Sequence, residues 1–288
     1  MSGGNLRENS SDLFASLLVG KSGAAHKYAY GCGLIVTGTM TGASILAGKA
    51  ALRCGIGLLV MACDARNQPI YQATLTEALS LRGRLKADFQ SILDQKKPDH
   101  ILIGQGFGRE NDVALKTQVL ELAHWTKQNK CTLILDADAI SVFEDDQDIF
   151  LKALHKRCVL TPHEGEFSRV FGEVGGDRVA SLHRALEVIE ATIILKGENT
   201  LIGAAGRPTL INYKASPWLA TGGTGDVLAG TILGLAGLAG HETHPQIAAG
   251  AAVWLHGSAS LLKGPGLIAT DLPELYPEIL REFAGEAF

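Results

Sequence analysis

The amino-acid sequence predicts an α/β fold in which a central, mostly parallel sheet is flanked by helices on both faces. Short runs that are apolar throughout, such as Leu58 to Cys63, are typical of strands buried on both faces of a sheet. These runs alternate with helix-length segments, which is the pattern of repeated strand–helix–strand units. The chain also has 34 glycines, many of them where a strand gives way to a helix. Such junctions are typical of α/β folds that bind phosphate groups.

The predicted elements follow one another along almost the whole chain. Strands are predicted at residues 33–37, 58–63, 100–104, 132–136, 158–161 and 192–196, with an antiparallel pair at 200–204 and 208–211. Helices are predicted at 14–18, 42–54, 113–129, 177–190, 226–239, 244–263 and 271–284, and residues 64–99 receive no firm assignment. Residues 1–11 are predicted to be a flexible tail. Residues 12–288 are predicted to form a single domain, because no linker or repeat interrupts them.

Composition narrows the classes of function. Hydrophobic residues make up 46% of the chain and charged residues 19%, so a large core is available. The net charge is −4 and no long basic run occurs, which argues against nucleic acid or an anionic membrane as a partner. The five cysteines form no CxxC pair, and the apolar windows 227–240 and 246–255 are too short or too interrupted to cross a bilayer. We therefore expect a cytoplasmic protein whose cysteines are buried free thiols.

The segment Thr221 to Asp226, with the sequence TGGTGD, is the strongest candidate for a functional site. It precedes an apolar run predicted to be a helix, so its backbone N–H groups would point out of a helix start. Such a row of N–H groups binds anions. The carboxylate of Asp226 has two possible uses there. It could complement the helix dipole, or it could take a proton from a hydroxyl close to a bound phosphate.

Five further turns that are polar or rich in glycine follow predicted strands. They lie at 37–44, 104–109, 136–139, 161–166 and 196–200. In a doubly wound sheet, these strand ends gather with TGGTGD into one crevice. Each turn alone is weak evidence, and the GxGxG pattern at 104–108 fits an ordinary tight turn equally well. Asp136 and Asp138 both follow one strand, and the sequence leaves open which of them faces the phosphate.

Four of these segments together resemble a known family. LDADAI at 135–140, LTPHEGEF at 160–167, LKGENT at 195–200 and TGGTGDVLAG at 221–230 resemble the ADP- or ATP-dependent NAD(P)H-hydrate dehydratases, which have a ribokinase-like fold. The resemblance runs from about His26 to the C-terminus, and the order of the motifs makes it specific. It implies that water is removed from hydrated NADH or NADPH at the expense of a nucleotide phosphate bond. ADP is the expected nucleotide, with AMP and phosphate as products.

The resemblance also assigns roles to individual residues. It implies that Asp226 is the catalytic base and that the transferring phosphoryl group is held by the backbone of Gly223, Thr224 and Gly225. It implies an adenine-nucleotide segment made of Lys196, Gly197, Glu198, Asn199 and Thr200, joined by Gly225. It places the hydrated dinucleotide against Ala43, Gly106, His163 and Asp226, and Mg²⁺ near Glu166. It further implies a homo-oligomer, a tetramer by analogy.

The chain departs from the family pattern at two turns. Gln105 and Phe107 stand where the family more often has proline and leucine, and the turn at 37–42 lacks the commoner Gly-Gly-Ser. In the family, both turns face the dinucleotide. Two other functions remain open from the sequence. One is a kinase of the same fold that phosphorylates a small alcohol, and the other is a non-catalytic sensor of an adenine nucleotide or dinucleotide.

Overall fold

A ten-stranded sheet forms the centre of the computed structural model, which describes residues 6–19, 21, 26–83, 87–108, 112–240 and 242–284. The strands are β1 Leu6–Glu8, β2 Cys32–Val36, β3 Leu58–Cys63, β4 Leu79–Arg82, β5 His100–Ile103, β6 Thr132–Leu135, β7 Cys158–Leu160, β8 Thr192–Leu195, β9 Thr200–Ala204 and β10 Thr209–Asn212. The helices are α1 Ala15–Leu18, α2 Thr41–Arg53, α3 Gln68–Thr74, α4 Ala87–Lys96, α5 Asp112–Gln128, α6 Asp138–Ser141, α7 Gln147–Ala153, α8 Glu164–Phe171, α9 Arg178–Leu186, α10 Thr224–Ala239, α11 Pro245–Lys263 and α12 Asp271–Ala284.

The strand order across the sheet is β1-β10-β9-β8-β7-β6-β5-β2-β3-β4. All neighbouring pairs are parallel except β8 with β9 and β9 with β10. The antiparallel pair predicted at the end of the strand series is confirmed, with Ile202 opposite Leu210. Because β8, β7, β6, β5 and β2 run parallel and adjacent, their carboxyl ends meet along one edge.

Two apolar cores cover the two faces of this sheet, so the predicted fold class is confirmed. Successive side chains of a strand point to opposite faces. Ile134 of β6 accordingly joins the core built with α2, α10, α11 and α12, whereas Leu133 and Leu135 join the core built with α5 to α9. Each of these three side chains is completely buried. Burial on both faces is the reason that the strands read as continuous apolar runs.

Helices α2 and α10 pack with their backbones in close approach. A Cβ on Gly230 would overlap the carbonyl oxygen of Ala47, and one on Gly234 would stand 2.6 Å from the carbonyl oxygen of Ala51. The small residues of α10 therefore serve packing inside the chain. This arrangement fixes the start of α10, and with it TGGTGD, against the start of α2.

We expect Gly230→Ala to destabilise the protein by about 1–3 kcal/mol, because the added methyl group forces two backbones apart. Gly42 is the control, since it lies in α2, the helix that packs against α10, but a Cβ there would meet no atom within 4 Å. Gly42→Ala is expected to be neutral or stabilising by up to about 1 kcal/mol. Urea denaturation of both variants checks this, and equal stabilities would contradict the close packing.

The prediction of a flexible tail at 1–11 is wrong for the residues that the structure describes. Leu6–Glu8 forms β1, which pairs in parallel with Thr209–Ile211 of β10. Asn9 is buried, and its Nδ2 donates to Asn212 Oδ1 at 3.0 Å and to the carbonyl oxygen of Gly250 at 2.9 Å. The backbone of a polar segment is therefore held by strand pairing and by one buried amide. Residues 1–5 lie outside the described residues.

Three elements in residues 64–99 escaped the sequence prediction. They are α3, β4 and α4, of which β4 is the last strand at one edge of the sheet. The side chains of β4 are half-buried or exposed, so the strand lacks the continuous apolar run of its neighbours. Edge elements of this kind carry a weak hydrophobic pattern.

All five cysteines are buried and free, as predicted. Within the described ranges, no helix combines the length and the apolar character that a membrane crossing requires.

Candidate active site

The predicted strand-end turns do gather at one edge of the sheet. The turns that follow β2, β5, β6, β7 and β8 lie at the carboxyl ends of five adjacent parallel strands. The TGGTGD loop instead follows a short 3₁₀ turn at Pro217–Leu219 and leads into α10. It reaches the same edge, because a Cβ on Gly225 would stand 3.6 Å from Lys196 Nζ.

Lys196 lies at this edge, directly after β8. Its Nζ is 3.3 Å from Asp136 Oδ1 and 3.7 Å from Glu166 Oε2. Burial alone lowers the pKa of Lys196, but the carboxylates of Asp136, Glu166 and Asp226 outweigh burial and raise it. Lys196 is therefore a permanent cation that balances three carboxylates, with its ammonium group close to the start of α10.

Asp226 lies in the first turn of α10 and is partly buried. Its pKa is raised to about 6, mainly by burial and also by the negative charge of Asp136, with Lys196 opposing both effects. A carboxyl group with such a pKa can exchange a proton near neutral pH, which suits a general base. Of the two uses that the sequence left open, proton exchange therefore gains support.

The start of α10 offers backbone donors to an anion. Gly223 is the N-cap residue with φ +89°, a left-handed conformation that favours glycine, and within the described part of the chain no side chain caps this helix. The hydroxyl of Thr224 is already engaged, since it donates to the carbonyl oxygens of Leu219 at 2.8 Å and Thr221 at 3.0 Å. The first N–H groups of the helix are left to bind a phosphate.

The structure assigns different tasks to Asp136 and Asp138. Asp136 faces Lys196 and also accepts a 2.5 Å hydrogen bond from the hydroxyl of Thr161. Asp138 Oδ2 accepts a 2.9 Å hydrogen bond from the backbone N–H of Gly108, so it holds the turn at 104–108. Between them Ala137 has φ +49° and ψ −114°, a strained conformation for a residue with a Cβ. Such strain is often kept at functional sites.

Ala43 and Gly106 lie against each other. A Cβ on Gly106 would stand 3.0 Å from the Cβ of Ala43 and 2.8 Å from the carbonyl oxygen of Met40, and Met40 N donates to the carbonyl oxygen of Gly106 at 2.9 Å. The start of α2 and the turn at 104–108 therefore form one continuous backbone surface. Small residues are required at this contact because the two backbone segments approach each other closely.

His163 and Glu166 form a capping box at the start of α8. His163 Nδ1 accepts a hydrogen bond from Glu166 N at 3.2 Å, and Glu166 Oε2 accepts one from His163 N at 2.9 Å. His163 therefore has a structural task in addition to any contact with substrate, although 55% of its side chain is exposed. Glu166 is buried and its carboxylate is engaged by both His163 and Lys196.

Arg178 of α9 holds the turn from Lys196 to Thr200, although the sequence predicted no role for it. The guanidinium of Arg178 donates to the carbonyl oxygens of Asn199 at 2.6 Å and Lys196 at 3.0 Å. A Cβ on Gly197 would overlap this guanidinium. Thr200 Oγ1 donates to the carbonyl oxygen of Gly197 at 3.2 Å, while Glu198 is exposed. Arg178 lies in an ordinary amphipathic helix, so no sequence signal distinguished it.

His256, predicted to be a core residue, is buried in α11 with its Nδ1 3.3 Å from the hydroxyl of Tyr276. Burial lowers its pKa to about 3, and the charge of Lys196 contributes. His256 is therefore neutral at physiological pH.

Comparison with known proteins gives a consistent result. Residues 33–279 match the sequence profile of the family described as NAD(P)H-hydrate dehydratase. The ADP-dependent (S)-NAD(P)H-hydrate dehydratase of Listeria monocytogenes is 32% identical over 268 residues, which cover 90% of this chain and 91% of that protein. The bifunctional NAD(P)H-hydrate repair enzyme Nnr of Moorella thermoacetica is 32% identical, with 94% of this chain and 53% of that enzyme covered. The chain thus spans about half the length of the bifunctional relatives that it matches.

A solved structure supports the same relationship. The ADP/ATP-dependent NAD(P)H-hydrate dehydratase of Bacillus subtilis, co-crystallised with ATP and Mg²⁺, superposes with a TM-score of 0.78 at 28% identity, covering 98% of this chain and 100% of that one.

The parallel sheet with helices on both faces, and a lysine facing an uncapped helix start at its carboxyl edge, define a ribokinase-like α/β protein. Within that class, the chain belongs to the NAD(P)H-hydrate dehydratase family.

Proposed function

We propose that the protein removes water from the (S)-hydrate of NADH or NADPH, with ADP as the phosphoryl donor and AMP and phosphate as products. The observation that carries this proposal is the pairing of Asp226, whose pKa is raised to about 6, with the uncapped start of α10 and the ammonium group of Lys196. This arrangement joins a base to an anion site. ADP is preferred over ATP because the Listeria relative is named as ADP-dependent.

The reaction follows from these groups. Asp226 accepts the hydroxyl proton of the hydrate as that oxygen bonds to the β-phosphorus of ADP, and the bond from phosphorus to the AMP oxygen breaks. The backbone N–H groups of Thr224 and Gly225, together with Lys196, stabilise the negative charge that builds up on the phosphoryl oxygens. The ring nitrogen then expels the phosphorylated oxygen, breaking the carbon–oxygen bond. The neighbouring ring carbon releases a proton, which restores the dihydronicotinamide.

Two surfaces of the site suit the two ligands. The turn from Lys196 to Thr200 lies beside the start of α10, so we assign the adenine nucleotide to Lys196, Gly197, Glu198, Asn199 and Thr200. The surface made by Ala43 and Gly106 lies on the far side of Asp136 and Asp138, so we assign it to the dinucleotide, with the exposed ring of His163 at its edge.

Magnesium would enter with the nucleotide. Among the described residues, no three acidic, histidine or cysteine side chains are grouped as a ready-made metal site. This fits Mg²⁺, which keeps several waters and binds through one or two carboxylates plus phosphate oxygens. Because both oxygens of Glu166 are engaged by His163, Glu166 would meet the ion through water. When bound, the ion supplies charge neutralisation at the phosphate.

The homotetramer expected by analogy remains a prediction that light scattering checks.

Purified protein incubated with hydrated NADPH and either ADP or ATP tests the proposed function. The expected result is recovery of the dihydronicotinamide absorbance together with stoichiometric AMP when ADP is supplied. Absence of recovery with both nucleotides, together with phosphorylation of a small alcohol, would overturn the proposal in favour of a kinase. Nucleotide binding without either reaction would favour a sensor.

The rate of the reaction is expected to fall on the acid side of about pH 6. Asp226 must be ionised to accept a proton, and its pKa is raised to about 6, so log kcat/KM should decrease with unit slope below that pH. Initial rates between pH 5 and pH 9 provide the measurement. A flat profile down to pH 5 would exclude Asp226 as the base.

A further inference from the structure

Gln105 is a buried residue that the proposed function does not use. Its side chain is completely inaccessible to solvent, and neither Oε1 nor Nε2 has a hydrogen-bond partner among the residues that the structure describes. An unsatisfied buried polar group destabilises the folded chain, and an apolar side chain of the same size would avoid that cost. The stability of the ligand-free chain therefore gives no reason for glutamine at this position.

The position of Gln105 ties it to the site. It lies in the turn at 104–108, which Asp138 holds through the backbone N–H of Gly108. A Cβ on Gly104 would overlap the carbonyl oxygen of Asp136, the residue that faces Lys196. Any movement of this turn therefore changes the contacts of Asp136 and Asp138, which lie beside the proposed reaction centre.

A second unpaired group lies where this turn meets α2. Ser44 is completely buried, and its hydroxyl has no hydrogen-bond partner within the described ranges. Its neighbour Ala43 lies against Gly106, the residue after Gln105. Two buried, unpaired polar side chains therefore occur on the two segments that form the proposed dinucleotide surface.

The turn around Gln105 contains three glycines with positive φ. Gly104, Gly106 and Gly108 have φ values of +122°, +69° and +70°. Glycine populates positive and negative φ about equally, so these residues tolerate a change of backbone conformation better than residues with a Cβ. A ligand that selects one of them needs only a difference in free energy between the arrangements.

We propose that Gln105 is a positioning residue, whose amide becomes hydrogen-bonded when the turn at 104–108 closes on the hydrated dinucleotide. This inference rests on the proposed function. The cost of the unpaired amide is present only in the ligand-free protein and is relieved in the complex, so it adds to the affinity for substrate.

The test compares Gln105→Met with Thr192→Val. Methionine keeps the size and flexibility of glutamine but lacks the amide. Thr192 is the matched control, because it is completely buried with an unpaired Oγ1 but begins β8 at the opposite edge of the sheet. Both variants are expected to have a higher Tm than wild type. Only Gln105→Met is expected to raise KM for hydrated NADPH, by about tenfold with kcat unchanged.

Two outcomes would overturn the inference. A higher Tm of Gln105→Met with KM unchanged would mean that Gln105, like Thr192, is an unpaired buried polar residue with no role in substrate binding. A lower Tm would mean that the amide is already paired in the free protein. The rise in Tm caused by hydrated NADPH is measured alongside, so that Gln105 is tested even if wild type has no turnover and the proposed function fails. The rise should be smaller in Gln105→Met. Absence of a rise in wild type would overturn both proposals.

Discussion

Replacing Asp226 by asparagine is expected to lower kcat by about 10²- to 10⁴-fold while leaving the Kd for ADP within a few-fold of wild type. Asparagine keeps the size of the side chain and its place in the first turn of α10, but it cannot accept a proton from the hydroxyl. The N–H groups at the helix start and the ammonium group of Lys196 remain in place to bind phosphate. Titration calorimetry with ADP and single-turnover rates separate the two effects.

Folding of this variant is not expected to suffer. The pKa of Asp226 is raised from 3.8 to about 6, so the folded state favours the protonated form. The stability that protonation contributes is complete below about pH 4 and is lost as the pH rises through 6. Asparagine stays neutral, so Asp226→Asn should be at least as stable as wild type at pH 8.

Asp138→Asn is the matched control, because Asp138 is a nearby carboxylate whose Oδ2 accepts from Gly108 N, a bond that the amide oxygen of asparagine can replace. It should keep kcat within about tenfold of wild type. A near wild-type rate in Asp226→Asn would exclude Asp226 as the base and leave it only the role of complementing the helix dipole.

Replacing Lys196 by methionine is expected to cost about 3–5 kcal/mol of unfolding free energy at pH 7 and to abolish measurable ADP binding. Asp136 and Glu166 are nearly buried, and removal of their shared cation leaves carboxylates without compensation. The remaining carboxylates then repel one another. Because the pKa of Asp226 is already raised to about 6, protonation of Asp226 should relieve part of this repulsion, and the defect should shrink as the pH falls towards 5.

Lys116→Met gives the control for this prediction. Lys116 forms an ion pair with Asp146 at 2.5 Å, but the Asp146 side chain is 43% exposed and the pair lies outside the site. Its loss should cost less than about 1 kcal/mol with little dependence on pH. Guanidinium denaturation of both variants at pH 5 and pH 8 gives the comparison. Equal losses in the two variants would contradict the central role assigned to Lys196.

The sequence predicted those parts of the fold in which burial produces a recognisable pattern of apolar residues. Strands such as β3 and β6 are buried on both faces, so their continuous apolar runs identify them. The helix α10 was identified by its apolar run and by the glycines that precede it. By contrast, β1 is an exposed, polar segment that becomes a strand because β10 offers an edge to pair with, and no local pattern reports that partner.

The candidate site divides in the same way. Asp226 and Lys196 could be predicted because Asp226 lies in the first turn of an apolar helix preceded by glycines and Lys196 directly follows an apolar strand. The separate tasks of Asp136 and Asp138 depend on the strained backbone conformation of Ala137 between them. No local sequence pattern indicates that conformation. The support from Arg178 and the burial of Gln105 arise from packing between distant segments, and only the folded chain brings them together.

The most direct test of the account follows an oxygen atom. If the hydroxyl oxygen of the hydrate attacks phosphorus and leaves with it, hydrated NADPH labelled with heavy oxygen at that hydroxyl should transfer the label to inorganic phosphate. Mass spectrometry of the phosphate released with ADP gives the measurement. One labelled oxygen is expected in each phosphate formed. Label appearing in water, with none in phosphate, would contradict it, since the hydroxyl would then leave without ever bonding to phosphorus.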